Sequence, residues 1–492
     1  MSDLSVTNTL TGEQEPFEPV GDEVLLYVCG LTVSDDAHLG HARVWTHADV
    51  MHRWLEHEGY PVRHVENFTD VNEKIVARVG EDDLGDSEPD VARGFTASVL
   101  EDMRGLGLRR AAVYPRVSEH VPEIVDLVET LVEKGYAYEA NGSVYFDVTT
   151  FDDYGKLSNQ RVEELEAQGV EETVEKRHPA DFALWKAGGV TPDEVAEHRS
   201  EDLPPLDGER GQTWESPWSE GRPGWHIECS AMSMTHLDET IDIHVGGHDL
   251  VFPHHENEIA QSEAATGKQF AKYWLHTGLL ETEGEKMSSS LGNYFYVADA
   301  LDRWGVNVLR TFYLGTQYGT KQTFSEAAMR EAEERWERLE RTYEDAVAAC
   351  DSVDARTKAD DETLRAAVDE ARTEFRAAMN DDFNVREAMA ALLELSKAVN
   401  SHLSREEYDY RGLKAAVETF EDLGGDVFGL ELGASGGGDV ELAGDLVELV
   451  LEVREEERAA GDYDRADALR DELEALGVEV GDSPEGPTYR LP

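Results

Sequence analysis

The sequence contains few cysteines and no long apolar segment. Its 492 residues include three cysteines, which stand too far apart to predict a disulfide framework. The longest apolar run, Val24 to Val33, is too short to cross a bilayer and contains a glycine. The first residues, Met-Ser-Asp-Leu, lack the basic and apolar parts of a signal peptide. These absences predict a soluble cytoplasmic protein without a membrane segment.

Basic residues are also scarce. There are 44 lysines and arginines against 105 aspartates and glutamates, for a net charge of -61, while 40% hydrophobic residues exclude acidic disorder. The charge suits either a protein that repels nucleic acids and binds basic partners, or a protein adapted to molar salt. Acidic residues on the polar faces of nearly every predicted helix favour the halophilic cytoplasm. At about 1 M salt the Debye length is about 3 Å, so this charge does not forbid an anionic partner.

The N-terminal part alternates strands and helices. The run that begins at Val24 predicts a buried strand ended by Gly30, helical spacing of apolar residues predicts a helix from Gly40, and a second strand is predicted from Val62 to Asn67. This order predicts a parallel sheet with a nucleotide crevice at its carboxyl ends. The segment His38 to His41 then lies at a helix N-terminus, where amide groups bind phosphate, although a histidine there can simply cap the helix.

The segment from Gly224 to Gln261 contains candidate metal ligands. Cys229 offers a thiolate, and His254 and Glu258 are four residues apart, so on a helix both side chains project from one face. Cys29 is the first candidate for a fourth ligand. The alternatives are a solvated histidine–glutamate pair on a helix and a cysteine that only fills a buried space.

Several later segments have local signals of their own. The loop Lys286-Met-Ser-Ser-Ser is typical of a mobile phosphate clamp, although serine-rich turns are common. Residues 123–148 predict a helix and an Asn-Gly hairpin, and residues 191–212 predict a surface loop. From Ser325 to Gly424 the pattern predicts a helix bundle, and a glycine-rich linker begins at Gly433.

Together these segments predict an α/β fold. A Rossmann-like parallel-sheet catalytic domain carries an inserted α+β domain and precedes an α-helical bundle and a small C-terminal module. The predicted boundaries are 1–115 and 216–280 for the split catalytic domain, 116–215 for the inserted connective domain, 281–324 for the serine-rich loop region, 325–432 for the bundle, 433–440 for the linker and 441–492 for the C-terminal module.

Specific motifs connect the chain to a known family. YVCGLTV, GRPGWHIECSAM and FPHHENEIAQ, with the shorter HLGH and KMSSS, closely resemble cysteinyl-tRNA synthetase, a family of class I aminoacyl-tRNA synthetases. The likeness runs from NTLTGE near the start to DYDRADALRDEL near the end, and the acidic composition points to a halophilic archaeal member. The resemblance implies that the bundle, the loop region before it and the last module contact tRNA(Cys). Arg465, Arg470 and Arg490 are candidate contacts, although arginines on acidic helices more often form ion pairs.

The resemblance also implies one zinc ion per chain. Its ligands would be Cys29, Cys229, His254 and Glu258. Zinc binds a thiolate well and a serine hydroxyl poorly, so it would select cysteine without an editing domain. Side-chain packing against the one atom that differs between cysteine and serine would discriminate between them by only about 1 to 3 kcal/mol. The implied contacts of the amino acid are Thr32, Thr69, Trp225 and His244. His255 is assigned no role, because it is expected to point off the face shared by His254 and Glu258.

The implied reaction uses L-cysteine, ATP with Mg²⁺ and tRNA(Cys). The cysteine carboxylate attacks the α-phosphate of ATP, giving cysteinyl-adenylate and pyrophosphate, and a terminal ribose hydroxyl of the tRNA then takes the cysteinyl group. His38 and His41 would stabilise the transition state, Gly40 and Asp249 would seat the nucleotide, and Lys286 would hold pyrophosphate. The resemblance implies a cytoplasmic monomer.

One position departs from the family pattern. The second lysine of the usual KMSKS signature is Ser289 here, so Lys286 is expected to carry more of the nucleotide binding and catalysis. Two alternatives remain open: a ligase that joins activated cysteine to an amino sugar, and a catalytically silent tRNA-binding paralogue, which Ser289 motivates. The long C-terminal region argues against the first, and the retained histidines, lysine and candidate ligands argue against the second.

Overall fold

The computed structural model of the chain describes residues 4–81, 84–162, 165, 175–200, 202–282, 285–286, 295–433 and scattered positions between 446 and 490. These residues form two compact units, Met1–Leu430 and Glu431–Pro492, each with its own cluster of buried apolar side chains. The predicted division of the chain into smaller domains stays a prediction.

The first unit opens with the expected alternation of strands and helices. The elements are β1 (Ser5–Asn8), β2 (Glu13–Pro16), β3 (Val24–Val28), α1 (Leu39–His57), β4 (Val62–Glu66), α2 (Glu73–Ala77) and α3 (Glu88–Gly105). The strand predicted to end at Gly30 ends at Val28. Beyond it, the amide of Gly30 donates to Asn67 Oδ1 at 2.9 Å, and a Cβ at Gly30 would lie 1.7 Å from the carbonyl oxygen of Asn67. A side-chain hydrogen bond and a close backbone approach thus replace the strand ladder.

A second group of elements forms an antiparallel sheet. It comprises α4 (Val121–Lys134), β5 (Ala137–Ala140), β6 (Ser143–Phe146), β7 (Phe182–Ala187), α5 (Pro192–Ala196) and β8 (Gly221–Pro223). The strand order is β5-β6-β7-β8, and Asn141 and Gly142 turn the predicted hairpin with φ of 52° and 87°. The loop predicted at 191–212 is wrong in part, because a capping box between Thr191 and Glu194 begins α5 there.

The central sheet is completed by elements far along the chain. These are α6 (Trp225–His236), β9 (Ile241–Gly247), α7 (Glu256–Thr266) and β10 (Ala271–Thr277). The strand order is β10-β9-β3-β4, with every neighbouring pair parallel. The predicted parallel sheet is confirmed. Because β3 leads to β4 on one side and β9 leads to β10 on the other, the connections diverge between β3 and β9, which is where ligands bind in such sheets.

The remaining elements of the first unit are mainly helical. They are β11 (Leu280–Thr282), β12 (Glu285–Lys286), α8 (Val297–Leu314), β13 (Gln322–Phe324), α9 (Glu326–Cys350), β14 (Ala355–Arg356), α10 (Glu362–Asn380), α11 (Val385–Leu403), β15 (Tyr408–Asp409) and α12 (Tyr410–Thr419). Helices α9 to α12 pack side by side along stripes of buried apolar residues such as Phe375, Met379 and Leu392. The predicted helix bundle is confirmed.

The second unit is smaller. Its described residues include helical positions between 446 and 473 and a hairpin of β16 (Glu479–Ser483) and β17 (Gly486–Arg490). Arg465 pairs with Glu457 at 3.0 Å, as arginines on acidic helices commonly do. Across both units, no described helix is long and apolar enough to cross a membrane.

Candidate active site

Two cysteines that are distant in sequence meet at the carboxyl edge of the central sheet. Cys29 directly follows β3, and its amide donates to the carbonyl of Val245 in β9 at 2.9 Å. Cys229 lies in the second turn of α6, is 1% exposed, and places its sulfur 3.9 Å from that of Cys29. The hydrogen bond with Cys29, together with burial, raises the pKa of the Cys229 thiol well above its ordinary value. The pairing of β3 with β9 and the packing of α6 against these strands therefore bring together residues 200 positions apart.

His254 and Glu258 complete a group of four potential metal ligands. Their Nε2 and Oε1 atoms are 3.1 Å apart and both side chains are buried. One donor atom from each of Cys29, Cys229, His254 and Glu258 lies within 4.8 Å of the others. We call these four residues the four-ligand cluster. The predicted proximity of His254 and Glu258 is observed, although His254 lies in an irregular turn, Val251–His255, that precedes α7 rather than in the helix itself.

The four-ligand cluster has the chemistry of a zinc site. His254 Nε2 and Glu258 Oε1 are buried and have no hydrogen-bond partner among the described residues. Burial opposes ionisation of Glu258, but the neighbouring His244 and His254 lower its pKa to about 2, so the carboxylate is charged. Two thiols, an imidazole and a carboxylate match the donor types that zinc takes, and a bound cation would satisfy both orphaned atoms. The residues present therefore fit this metal.

Further buried histidines form a hydrogen-bonded network in contact with the four-ligand cluster. His244 Nε2 lies 3.0 Å from Glu258 Oε2, and His255 Nδ1 lies 2.7 Å from His276 Nε2. His276 in turn reaches Thr9 Oγ1 at 2.8 Å. Such contacts orient ligating side chains. Sequence reasoning found His244 but missed His276, which a strand pattern of buried histidines in β9 and β10 could have suggested.

The expectation for His255 is wrong. Its Nε2 lies 3.9 Å from Glu258 Oε1, and its side chain is fully buried. On a helix, positions three apart share a face as well as positions four apart, so His255 and His254 both approach Glu258. His226 was also missed, and its Nδ1 lies 2.9 Å from His254 Nδ1.

Two of the four predicted contacts of the amino acid touch the four-ligand cluster. Trp225, the first residue of α6, is 41% exposed, and its ring centroid lies 4.4 Å from that of His254. Thr32 and Thr69 bridge the segments after β3 and β4, and Thr69 Oγ1 lies 3.5 Å from Glu228 Oε2. The structure thus brings Trp225 and His244 directly to the cluster and pairs the two threonines with each other.

The HLGH segment begins α1 as predicted. His38 is the N-cap residue: its Nδ1 accepts the amide of Gly40 at 3.0 Å, while His41 Nδ1 accepts the amide of His38 at 3.2 Å. The two rings stack with centroids 3.9 Å apart. Capping and a role toward phosphate are therefore compatible, since the cap uses only one nitrogen of each ring. A Cβ at Gly40 would lie 2.8 Å from the His38 ring, which explains the glycine.

The start of α1 is hydrogen-bonded to the segment that follows the serine-rich loop. The amide of Leu39 donates to the carbonyl of Phe295 at 3.1 Å, and the amide of Val297 donates to that of Ala37 at 2.8 Å. Lys286 lies in β12, whereas Ser289 is outside the described residues.

Asp249 occupies a short turn just after β9 and is exposed at the carboxyl edge of the sheet. The HLGH segment, Asp249 and the four-ligand cluster thus share one edge.

Comparisons with known proteins identify the family. Residues 16–334 match the tRNA synthetases class I (C) catalytic domain, residues 374–433 the DALR domain and residues 444–490 the cysteinyl-tRNA ligase anticodon binding domain. The chain is 68% identical to the cysteine–tRNA ligase of Haloarcula marismortui, covering 99% of this chain and 100% of that protein. The chain belongs to the cysteine–tRNA ligase family.

Other members of the cysteine–tRNA ligase family extend the likeness. Identity is 65% to the protein of Halobacterium salinarum and 44% to that of Thermococcus onnurineus, each covering 99% of both chains. The expected likeness to halophilic archaeal proteins is confirmed.

The fold is shared more widely. Mycobacterium tuberculosis methionyl-tRNA synthetase has a TM-score of 0.54 at 17% identity, covering 82% of this chain and 89% of that one. LeuRS of Agrobacterium radiobacter has a TM-score of 0.58 at 13% identity, covering 84% and 85%. The cysteine–tRNA ligase family thus shares the Rossmann-like fold of class I synthetases, as predicted.

Proposed function

We propose that this chain activates L-cysteine with ATP and transfers the cysteinyl group to the 3' end of tRNA(Cys), and that it selects the substrate through a zinc ion. The observation that carries the proposal is the convergence of Cys29, Cys229, His254 and Glu258 beside the exposed ring of Trp225. Membership of the cysteine–tRNA ligase family supports the reaction, and the donor set of the four-ligand cluster supports the metal.

The four-ligand cluster would hold zinc with all four of its side chains. When bound, zinc would ligate the substrate thiolate and lower the pKa of the thiol, which favours cysteine over serine. His244 keeps Glu258 ionised and oriented through the contact at 3.0 Å. Trp225 lies over His254 at the opening, where its ring can exclude water from the amino acid side chain.

The HLGH histidines would act on the α-phosphate of ATP. Because Nδ1 of His38 and of His41 each accept a backbone amide, the proton of each neutral ring lies on Nε2. Nε2 is then the atom that can donate to a phosphate oxygen as negative charge develops. A carboxylate oxygen of cysteine bonds to the α-phosphorus and the bond to pyrophosphate breaks. Gly40 and Asp249 would seat the nucleotide with its Mg²⁺, and Lys286 and Ser289 would contact pyrophosphate.

The second step would use the tRNA. A terminal ribose hydroxyl bonds to the carbonyl carbon of the adenylate, and the bond from that carbon to the AMP oxygen breaks. The helical bundle and the C-terminal module would bind tRNA(Cys), in agreement with the anticodon binding domain matched at residues 444–490. We propose that the enzyme works as a cytoplasmic monomer.

The deciding experiment is aminoacylation of tRNA(Cys) in molar KCl with cysteine, and with serine as the control. We expect cysteine-dependent charging and no charging with serine. Adenylate formation without tRNA charging would favour an amino-sugar ligase, and absence of adenylate would favour a silent paralogue. In the same assay Lys286→Ala should slow pyrophosphate exchange far more than it weakens cysteine binding, and unchanged exchange would refute the assignment of Lys286.

A further inference from the structure

A second pair of histidines meets away from the four-ligand cluster. His120 precedes α4 as its N-cap residue, and His236 is the last residue of α6. Their Nε2 atoms are 2.7 Å apart, and the His120 side chain is largely buried, with 8% exposure. The proposed reaction uses neither residue, so the convergence of two imidazole nitrogens from different helices needs its own explanation.

The hydrogen bonds of His120 determine which of its nitrogens is available. His120 Nδ1 lies 2.7 Å from the carbonyl oxygen of Arg116, and a carbonyl oxygen can only accept. Nδ1 therefore carries the proton, and in the neutral ring the lone pair of Nε2 faces His236 Nε2. A backbone carbonyl that holds Nδ1–H in this way is the usual means of orienting a histidine whose Nε2 binds a metal.

The charges around the pair suit a cation. Burial and the neighbouring His120 lower the pKa of His236, and Arg63 acts in the same direction, so His236 is neutral near pH 7 and its nitrogens are able to bind a metal. Glu123 counteracts this shift, which places its negative charge close to the His236 ring. Glu123 lies three residues after His120 in the first turn of α4, on the same face of the helix, and is exposed.

We propose that His120 and His236 form a second binding site for a divalent transition-metal ion of the zinc class, completed by water, with the negative charge of Glu123 favouring the cation. Imidazole nitrogen is a preferred ligand of these ions. Two Zn–N bonds of about 2.0 to 2.1 Å at a tetrahedral angle separate the nitrogens by about 3.3 Å. The rings therefore need to move apart by about 0.6 Å, which side-chain rotation can supply.

Such an ion would connect two helices of the catalytic unit. α4 packs against α6, and α6 also carries Cys229, seven residues before His236 and about 10 Å away along the helix axis. A metal bound by the histidine pair would hold the end of α6 against the start of α4. Its expected effect is on the rigidity of the helix that presents Cys229.

Cobalt spectroscopy of the metal-free full-length chain can separate the two sites. In molar KCl with a competing chelator, we expect two equivalents of Co²⁺ to bind. One should show the sulfur-to-cobalt charge-transfer band of the four-ligand cluster, and the other should show ligand-field bands only, because it has no sulfur ligand. His120→Ala and His236→Ala should each remove only the second equivalent, whereas His198→Ala, which changes an exposed histidine elsewhere, should retain both.

The outcomes that refute the second site are equally distinct. Binding of a sulfur-type equivalent alone would overturn it, as would a second equivalent that persists in both His120→Ala and His236→Ala, since this would show weak binding to the acidic surface. His236→Gln retains hydrogen-bonding groups but is a poor ligand, so it should lose the second equivalent while keeping the far-ultraviolet circular dichroism of the unchanged chain. If the four-ligand cluster does not bind the metal, the charge-transfer band would instead be absent and the second equivalent of Co²⁺ would still bind.

Discussion

Two buried groups of histidine and carboxylate in this chain differ in how completely they are hydrogen-bonded. In the helical bundle, His402 Nδ1 lies 2.7 Å from Asp361 Oδ2, and His402 Nε2 accepts the amide of Asp409 at 2.8 Å. In the four-ligand cluster, His254 Nε2 and Glu258 Oε1 are 3.1 Å apart, yet within the described part of the chain neither has a hydrogen-bond partner. Similar residues are thus satisfied in one place and left incomplete in the other.

This difference separates a structural group from a binding site. A buried polar atom without a partner costs about 1 to 3 kcal/mol, so a fold that keeps several of them together needs a ligand to offset the cost. The bundle group needs none, because His402 links the start of α10 to the start of α12 with both ring nitrogens. Composition alone therefore does not distinguish these two groups, whereas the hydrogen bonding of their polar atoms does.

The largest expected effect is loss of a ligand from the incomplete group. Cys229→Ser should reduce cysteine-dependent pyrophosphate exchange by about 100-fold or more and lower the zinc content, since disturbing even the residues behind a metal ligand costs about 10- to 100-fold. Cys350→Ser, which changes the cysteine at the end of α9, is the matched control and should leave both unchanged. Equal exchange rates in the two variants would contradict the assignment of the four-ligand cluster.

A smaller effect is expected on stability when the satisfied group is broken. His402→Ala should lower the free energy of unfolding by about 2 to 3 kcal/mol, because it leaves Asp361 and the amide of Asp409 without their buried partner. The measurement is denaturant unfolding of the metal-free chain in molar KCl. An unchanged free energy of unfolding in His402→Ala would contradict this structural role.

The smallest effect is a pH dependence in the bundle. Burial opposes ionisation of Asp409, but hydrogen bonds from Arg365 and from the amides of Asp361 and Gly412 lower its pKa to about 2. This is below the value of about 3.9 in an unfolded chain, so the carboxylate stabilises the fold above about pH 4, and the contribution is lost as the pH falls toward the folded pKa.

Asp409→Asn is the matched variant for this dependence. Asparagine can still cap α12, where Asp409 Oδ1 accepts the amides of Arg411 and Gly412, but it does not titrate. The unfolding midpoint of the unchanged chain should therefore fall more steeply between about pH 4 and pH 2 than that of the variant. Parallel midpoint curves would show that Asp409 contributes no titratable stability.

Local sequence signals predicted the local structure well. Helical spacing and the HLGH segment placed the start of α1 within one residue, and Asn141 with Gly142 predicted the hairpin between β5 and β6. The strand that begins at Val24 ends at Val28, two residues before the predicted end at Gly30, where the side chain of Asn67 accepts the Gly30 amide. That contact is non-local and leaves no periodic signal near β3.

In the candidate site, too, the local features were predicted from the sequence and the non-local contacts were not. The spacing of His254 and Glu258 follows from the helical period, so the sequence alone could pair them. The contacts of His255, His276 and Thr9 with one another depend on how β9, β10 and the N-terminal segment pack, and sequence reasoning missed them or assigned the wrong direction.

What the sequence determined by itself is the set of residue types and part of the local structure that carries them: the strand that leads to Cys29 and the helical spacing of His254 and Glu258. What only the tertiary structure decided is that these elements meet. The parallel pairing of β3 with β9, and the packing of Cys229 from the preceding α6 against both strands, place two sulfur atoms 3.9 Å apart across 200 residues. Backbone hydrogen bonds between strands act over any chain separation, which is why a site assembled by them has no signature in local spacing.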